Sequence, residues 1–162
     1  MGYSILPLSP DTVLARVNEL KSILKQVDYQ YWEYKHFIKD LPGKWEYSFY
    51  ATDNVSNQIL GFIVCSVKDH RILHEHKLFI TKSMHRLGMG SRLLLSSVRQ
   101  GIKNGLKEYS LNVYRESIPA IKLYQSLGMQ IIDEVEDEIG IRYYMAGTLQ
   151  SIKIELERRL SQ

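Results

Sequence analysis

Apolar residues recur at three- and four-residue spacing through Leu14, Val17, Leu20, Ile23 and Leu24, which predicts an amphipathic helix running to Val27. Ser9-Pro10 supplies its start: a side-chain oxygen for the free N–H groups, then a proline whose fixed φ suits the first turn. Ahead of it, residues 3–6 read as a short strand. Residues 28–40 hold Tyr29, Tyr31, Trp32, Tyr34 and Phe37 and predict a second, shorter helix, closed by Leu41-Pro42-Gly43. Residues 45–52, 59–67 and 71–80 then predict three strands. The turns between them, at Asp53-Asn54 with Ser56-Asn57 and at Lys68-Asp69-His70, are short enough to make an antiparallel meander.

The second half alternates. Gly88 opens a helix whose apolar face is Leu94, Leu95, Val98 and Ile102, with Gly105 as its stop. Residues 109–114 predict a strand, and residues 117–127 a helix with Pro119 in its first turn and Gly128 as its cap. Residues 129–135 and 141–146 form a hairpin across Glu136-Asp137-Glu138. Leu149, Ile152, Leu156 and Leu160 mark a last helix, on which Glu155 and Arg159 are spaced for an i,i+4 pair. The order predicts one α/β domain: a mixed sheet with helices on its faces.

Composition narrows the class rather than the function. A hydrophobic share of 44% over 162 residues suffices for one buried core. No apolar run approaches the length of a bilayer span, and no leader pattern precedes the first strand, so a cytoplasmic location is expected. Cys65 is the single cysteine and sits in an apolar run, which reads as a buried structural thiol. A net charge of +3, scattered along the chain, tolerates an anionic ligand but gives no basic stripe for nucleic acid. His74 and His76 sit two apart on a predicted strand without a third residue at ligand spacing, so no metal site is expected.

The chemistry concentrates in residues 78–94. A strand ends in a basic turn, two glycines follow in a G-x-G step, and a helix begins. A helix N-terminus offers free N–H groups and partial positive charge, a natural seat for phosphate. Gly88 and Gly90 let the backbone approach a ligand closely, and Arg86 and Arg92 flank the step. Glycines at such a junction also serve as plain turn residues. Neither a Walker lysine nor a dinucleotide-fold spacing is present.

Two segments together carry a resemblance. His85-Arg86-Leu87-Gly88-Met89-Gly90 after a strand resembles the acetyl-CoA signature of the GNAT superfamily of N-acetyltransferases. Leu111-Asn112-Val113 followed by Ser117, Ala120, Ile121, Tyr124, Gly128 and Met129 is similar to that family's second signature. The sequence departs from the pattern at three places: His85 stands for Gln or Arg, Ser117 for Asn and Met129 for Phe. The resemblance covers residues 3–147. It implies a GNAT-like mixed, mostly antiparallel sheet with helices on both faces, plus an additional C-terminal helix. Residues 1–147 would form the acyltransferase domain. Residues 148–162 would be a helix packed on that domain or at a subunit interface, with a homodimer as a possible partner state.

The resemblance also implies roles. Main-chain groups of Leu78, Phe79 and Ile80 would pair with the pantetheine arm of acetyl-CoA like an added strand. The turn from His85 and Arg86 through Leu87, Gly88, Met89, Gly90 and Ser91 would hold the pyrophosphate, with Ser117 and Tyr124 completing the cofactor site. Strands ending near Ile80 and Val113 would splay around the thioester, and the Ile80 N–H would face its oxyanion. Tyr124 occupies the place of the acid that protonates the departing thiolate; as a plain core residue it would share a helix face with Ala120 and Leu127. Glu75 stands where some members keep a base, or else faces solvent, with His74, His76 or water as other bases. Tyr29, Tyr31 and Trp32 would line the acceptor pocket or simply pack. The implied activity is direct acetyl transfer from acetyl-CoA to a primary amine, with a small molecule as the expected acceptor and no metal, nucleic acid or membrane. A protein N-terminal or lysine acetyltransferase and a non-catalytic CoA-binding module are the alternatives.

Overall fold

A computed structural model describes residues 2–26, 32–85 and 88–162. Seven strands form one sheet in the order β1-β2-β3-β4-β5-β7-β6. The strands are β1 (Tyr3–Pro7), β2 (Phe49–Asp53), β3 (Ile59–Lys68), β4 (Ile72–Ile80), β5 (Glu108–Tyr114), β6 (Gln130–Glu136) and β7 (Ile141–Thr148). Every neighbouring pair is antiparallel except β4 with β5. That parallel step is the one joined by a long crossover helix, as the geometry of parallel pairing demands.

Helices α1 (Pro10–Leu24) and α2 (Tyr34–Ile38) cover one face of the sheet around a core of Leu8, Val13, Leu20, Phe37, Phe62 and Phe79. The other face carries α4 (Met89–Lys103), α5 (Ile118–Ser126) and α6 (Leu149–Leu160) over a larger core that includes Leu73, Leu93, Val98, Tyr109 and Leu156. Helix α6 lies along α4: a Cβ on Gly101 would stand 3.3 Å from both Leu149 and Leu73, and Leu160 reaches Gly88. Among the described residues, no helix is long and apolar enough to cross a membrane.

The predicted caps are present. The Ser9 hydroxyl accepts from the Thr12 N–H at 3.2 Å, and Gly105 and Gly128 take left-handed φ of +86° and +94° behind their helices. Three local expectations are corrected. Leu14 is exposed and Val13 buried: the inward stripe of α1 runs Val13, Val17, Leu20 and Leu24 at regular helical spacing, one residue off Leu14, past a kink at Arg16 (φ −125°, ψ 17°). Residues 44–47 form the short helix α3 (Lys44–Tyr47), so the strand expected from residue 45 starts at Phe49. The cause is Lys44, only 1% exposed, whose ammonium donates to the carbonyls of His36, Phe37 and Lys39 at 3.1, 2.7 and 2.7 Å and so caps α2. The second helix begins at Tyr34; Val27, Tyr29 and Tyr31 lie outside the described residues.

Candidate functional site

Strands β4 and β5 part company midway. Their pairing runs from Ile72 opposite Glu108 to Glu75 opposite Leu111 and stops, although β4 continues to Ile80 and β5 to Tyr114. The expected splay is therefore visible in the register. On its other edge β4 stays paired to β3, and the Thr81 N–H donates to the Leu60 carbonyl at 2.9 Å. Alternation along the strand turns the main-chain groups of Ile80 and Leu78 to the open edge. There the His85 imidazole holds the Ile80 carbonyl at 2.9 Å, leaving the Ile80 and Leu78 N–H groups facing the gap.

The gap opens into a cleft of about 510 Å³. Leu78, Phe79 and Ile80 form one wall, Met84 and His85 the turn, and Gly88, Met89, Gly90, Ser91 and Leu94 the start of α4. Gly88 takes φ +79° at the helix N-cap, a conformation that favours glycine, so the turn presents bare N–H groups to the cleft. Pro119, Ala120, Leu123 and Tyr124 of α5 close the far side. Arg86 and Leu87 lie outside the described residues, and Ser117 sits at the α5 N-cap without lining the cleft.

At the apex of the splay stands Glu75, on the α5 side and 9% exposed. Tyr109 donates to its Oε1 at 2.5 Å and Tyr124 to its Oε2 at 2.6 Å. Burial pushes the Glu75 carboxyl above its usual range, against the opposing pull of the two phenol hydrogen bonds. Burial also drives both phenols and the Cys65 thiol well up, so all three keep their protons. Glu75 thus neither faces solvent nor reaches the α1/α2 face. Tyr109 was missed by sequence reasoning: its link to Glu75 depends on strand register. Ala120 was legible from the helix face it shares with Tyr124 four residues on; Leu123, next to Tyr124 in sequence, carried no such signal.

The α1/α2 face of the same apex is polar. Cys65 pairs with Glu75 and Val64 with Lys77, so His76 is the extra residue of a bulge. His74 bonds the Ser110 hydroxyl at 2.7 Å and stacks on Tyr144 at 6.5 Å between centroids, while His76 bonds the Ser66 hydroxyl at 2.6 Å. Burial lowers His74 to about 3 and His76 to about 4, so both rings are neutral at physiological pH. Burial likewise lowers Lys77 to about 8. Asn112, paired with Tyr144, is exposed at the rim. Trp32 packs edge-on against Phe37, 5.1 Å between centroids, and near Phe62. Among the described residues, no group of three His, Cys, Asp or Glu side chains is placed to share a metal ion.

A strand that splays from its parallel neighbour beside a glycine-capped helix start is the arrangement the two sequence signatures imply. The sequence model of the "Acetyltransferase (GNAT) family" matches residues 16–129. The chain belongs to the GNAT family. It is an acyl-CoA-dependent acetyltransferase. N-alpha-acetyltransferase 30 of Dictyostelium discoideum is 25% identical over 139 residues, covering 82% of this chain and 70% of that protein. Among solved structures, the NatC complex bound to Gag peptide and CoA matches with a TM-score of 0.78 at 18% identity, over 91% of this chain and 99% of that one. A chimera of the Vibrio cholerae spermidine N-acetyltransferase SpeG with hSSAT matches with a TM-score of 0.69 at 13% identity, over 94% and 98%. GNAT proteins with this fold thus include ones bound to CoA, and ones named for peptide and for small-molecule amines.

Proposed function

We propose that this GNAT protein transfers the acetyl group of acetyl-CoA directly to the α-amine of a polypeptide N-terminus. The pantetheine arm lies along the open edge of β4, paired to the main chain of Leu78 and Ile80. The N–H groups of Gly88 through Ser91 face the pyrophosphate, and the Ile80 N–H faces the carbonyl oxygen of the thioester. The neutral amine attacks that carbonyl from the α1/α2 side. As the tetrahedral intermediate collapses, the C–S electron pair goes to sulfur and Tyr124 supplies the proton.

The observation that carries the acceptor class is the charge of the α1/α2 face. It presents His74, His76, Lys77, Asn112 and Tyr144, with Lys39, Lys44 and Lys68 close enough to depress the histidines. A polyamine brings several positive charges and is best matched by carboxylates; lysines outnumber them around the histidines, where Asp40 stands beside Lys44. A peptide N-terminus brings one amine, and its carbonyls suit Lys77, Asn112 and Tyr144 as donors. The likeness to N-alpha-acetyltransferase 30 supports the same class. A free amino acid, the small-molecule form of this acceptor, carries the same amine beside a carboxylate and is the second reading.

Thiol release from acetyl-CoA separates these acceptors. The test offers a short peptide with a free N-terminus, the same peptide N-acetylated but carrying a lysine, a free amino acid and spermidine. The free peptide is expected to turn over with kcat/KM at least tenfold above the others. Preference for spermidine or for the blocked, lysine-bearing peptide would overturn this acceptor.

A further inference from the structure

The Glu75 carboxyl is buried at the point where β4 leaves β5, and among the described residues no cation is among the groups that act on it. Its two oxygens each meet a phenol, Tyr109 at Oε1 and Tyr124 at Oε2. Only one of the phenols, Tyr124, also borders the cleft. A carboxylate there takes the Tyr124 proton as its hydrogen bond and holds it away from the cleft. A neutral carboxylic acid does the reverse: its O–H donates to the Tyr124 oxygen and frees the phenol proton to turn outward. A buried carboxylate with no cation beside it is costly even with two phenol donors, which favours the neutral form.

We infer that Glu75 is a positioning residue that orients and recharges the Tyr124 hydroxyl: its Oε2 hands a proton to the Tyr124 oxygen as Tyr124 gives its own to the departing CoA sulfur. This rests on the reading of Tyr124 as the acid. The balance is as follows. The C–S bond breaks with its electrons on sulfur, the Tyr124 O–H bond breaks and an S–H bond forms. The Glu75 O–H bond breaks and the Tyr124 O–H bond is restored. The carboxylate left behind keeps the Tyr109 hydrogen bond on Oε1. It regains a proton from solvent, to which the acceptor nitrogen has released one.

The titratable groups facing Glu75 are Tyr109 from β5, Tyr124 from α5 and Cys65 from β3, all of which keep their protons. The neutral form of Glu75 is therefore the group whose loss shapes the alkaline side of the rate profile. Glu75→Gln keeps the shape and can still bond both phenols, but has no proton to hand over. The expected result is a kcat lowered about tenfold or more with unchanged acetyl-CoA affinity, and disappearance of the wild-type fall in kcat with rising pH. Tyr109→Phe removes a donor to the carboxylate, so that fall moves to higher pH. A Glu75→Gln enzyme with wild-type kcat and an intact alkaline fall overturns the inference, as does a Tyr109→Phe profile that does not move, which keeps the test open should the Gln variant misfold. Tyr124→Phe tells the two failures apart. A slow Tyr124→Phe beside a normal Glu75→Gln leaves Tyr124 as the acid and removes only Glu75; a normal Tyr124→Phe removes both.

Discussion

His74 and His76 each rest on a serine hydroxyl, with Ser110 and Ser66 as their partners, and are held neutral by burial. Their effect on stability has a definite sign. Below about pH 6.5, where free histidine titrates, the unfolded chain takes up two protons that the native protein refuses until about pH 4 and about pH 3 respectively. The unfolded state then binds more protons, so stability is complete above pH 6.5 and is lost as pH falls through that window. Melting temperature should drop steadily between pH 6.5 and pH 4, and His76→Gln, which keeps a partner for Ser66, should flatten part of the slope. A variant with the wild-type slope would show that His76 titrates normally. The same burial makes both imidazoles weak bases at neutral pH, so in the proposed reaction the amine would arrive neutral or lose its proton to water.

At the scale of elements, the site depends on how closely β3 holds β4 while β5 lets it go. A Cβ on Gly61 would stand 2.7 Å from the Phe79 carbonyl and 2.8 Å from the Ile80 side chain, so this position in β3 admits no side chain. Gly61→Val should cost about 1–3 kcal/mol and move the cleft edge of β4. It should weaken acetyl-CoA binding together with urea stability. Lost stability with unchanged affinity would separate that strand edge from the cofactor site. Much of this level was legible in the sequence because its determinants are local. The Ser9-Pro10 cap, the glycine stops at Gly105 and Gly128 and the strand-to-helix turn at Gly88 each act within a few residues. The rest was not, because its causes are distant in sequence. Lys44 takes residues 44–47 out of a strand by reaching back to α2. The bulge at His76 and the Tyr109–Glu75–Tyr124 cluster exist only once the register of β3, β4 and β5 is set.

At the scale of the molecule, two helical layers serve two jobs on one sheet. On one side α4 and α5, backed by α6, bracket the cleft with glycine N–H groups and Tyr124. On the other lies the polar patch around His74, His76 and Tyr144, the face proposed to receive the amine. In the proposed reaction the acetyl group passes through the sheet where β4 and β5 part, beyond Glu75 and Leu111. Among the described residues Tyr124 is the one phenol lining the cleft, and it is the group on which the proposed release of CoA turns. The direct test is single-turnover thiol release from acetyl-CoA with a free-N-terminus peptide, comparing wild type with Tyr124→Phe and measuring acetyl-CoA affinity alongside. The account predicts an unchanged affinity and a transfer step slowed about tenfold or more. A Tyr124→Phe enzyme that binds and transfers at the wild-type rate would contradict it.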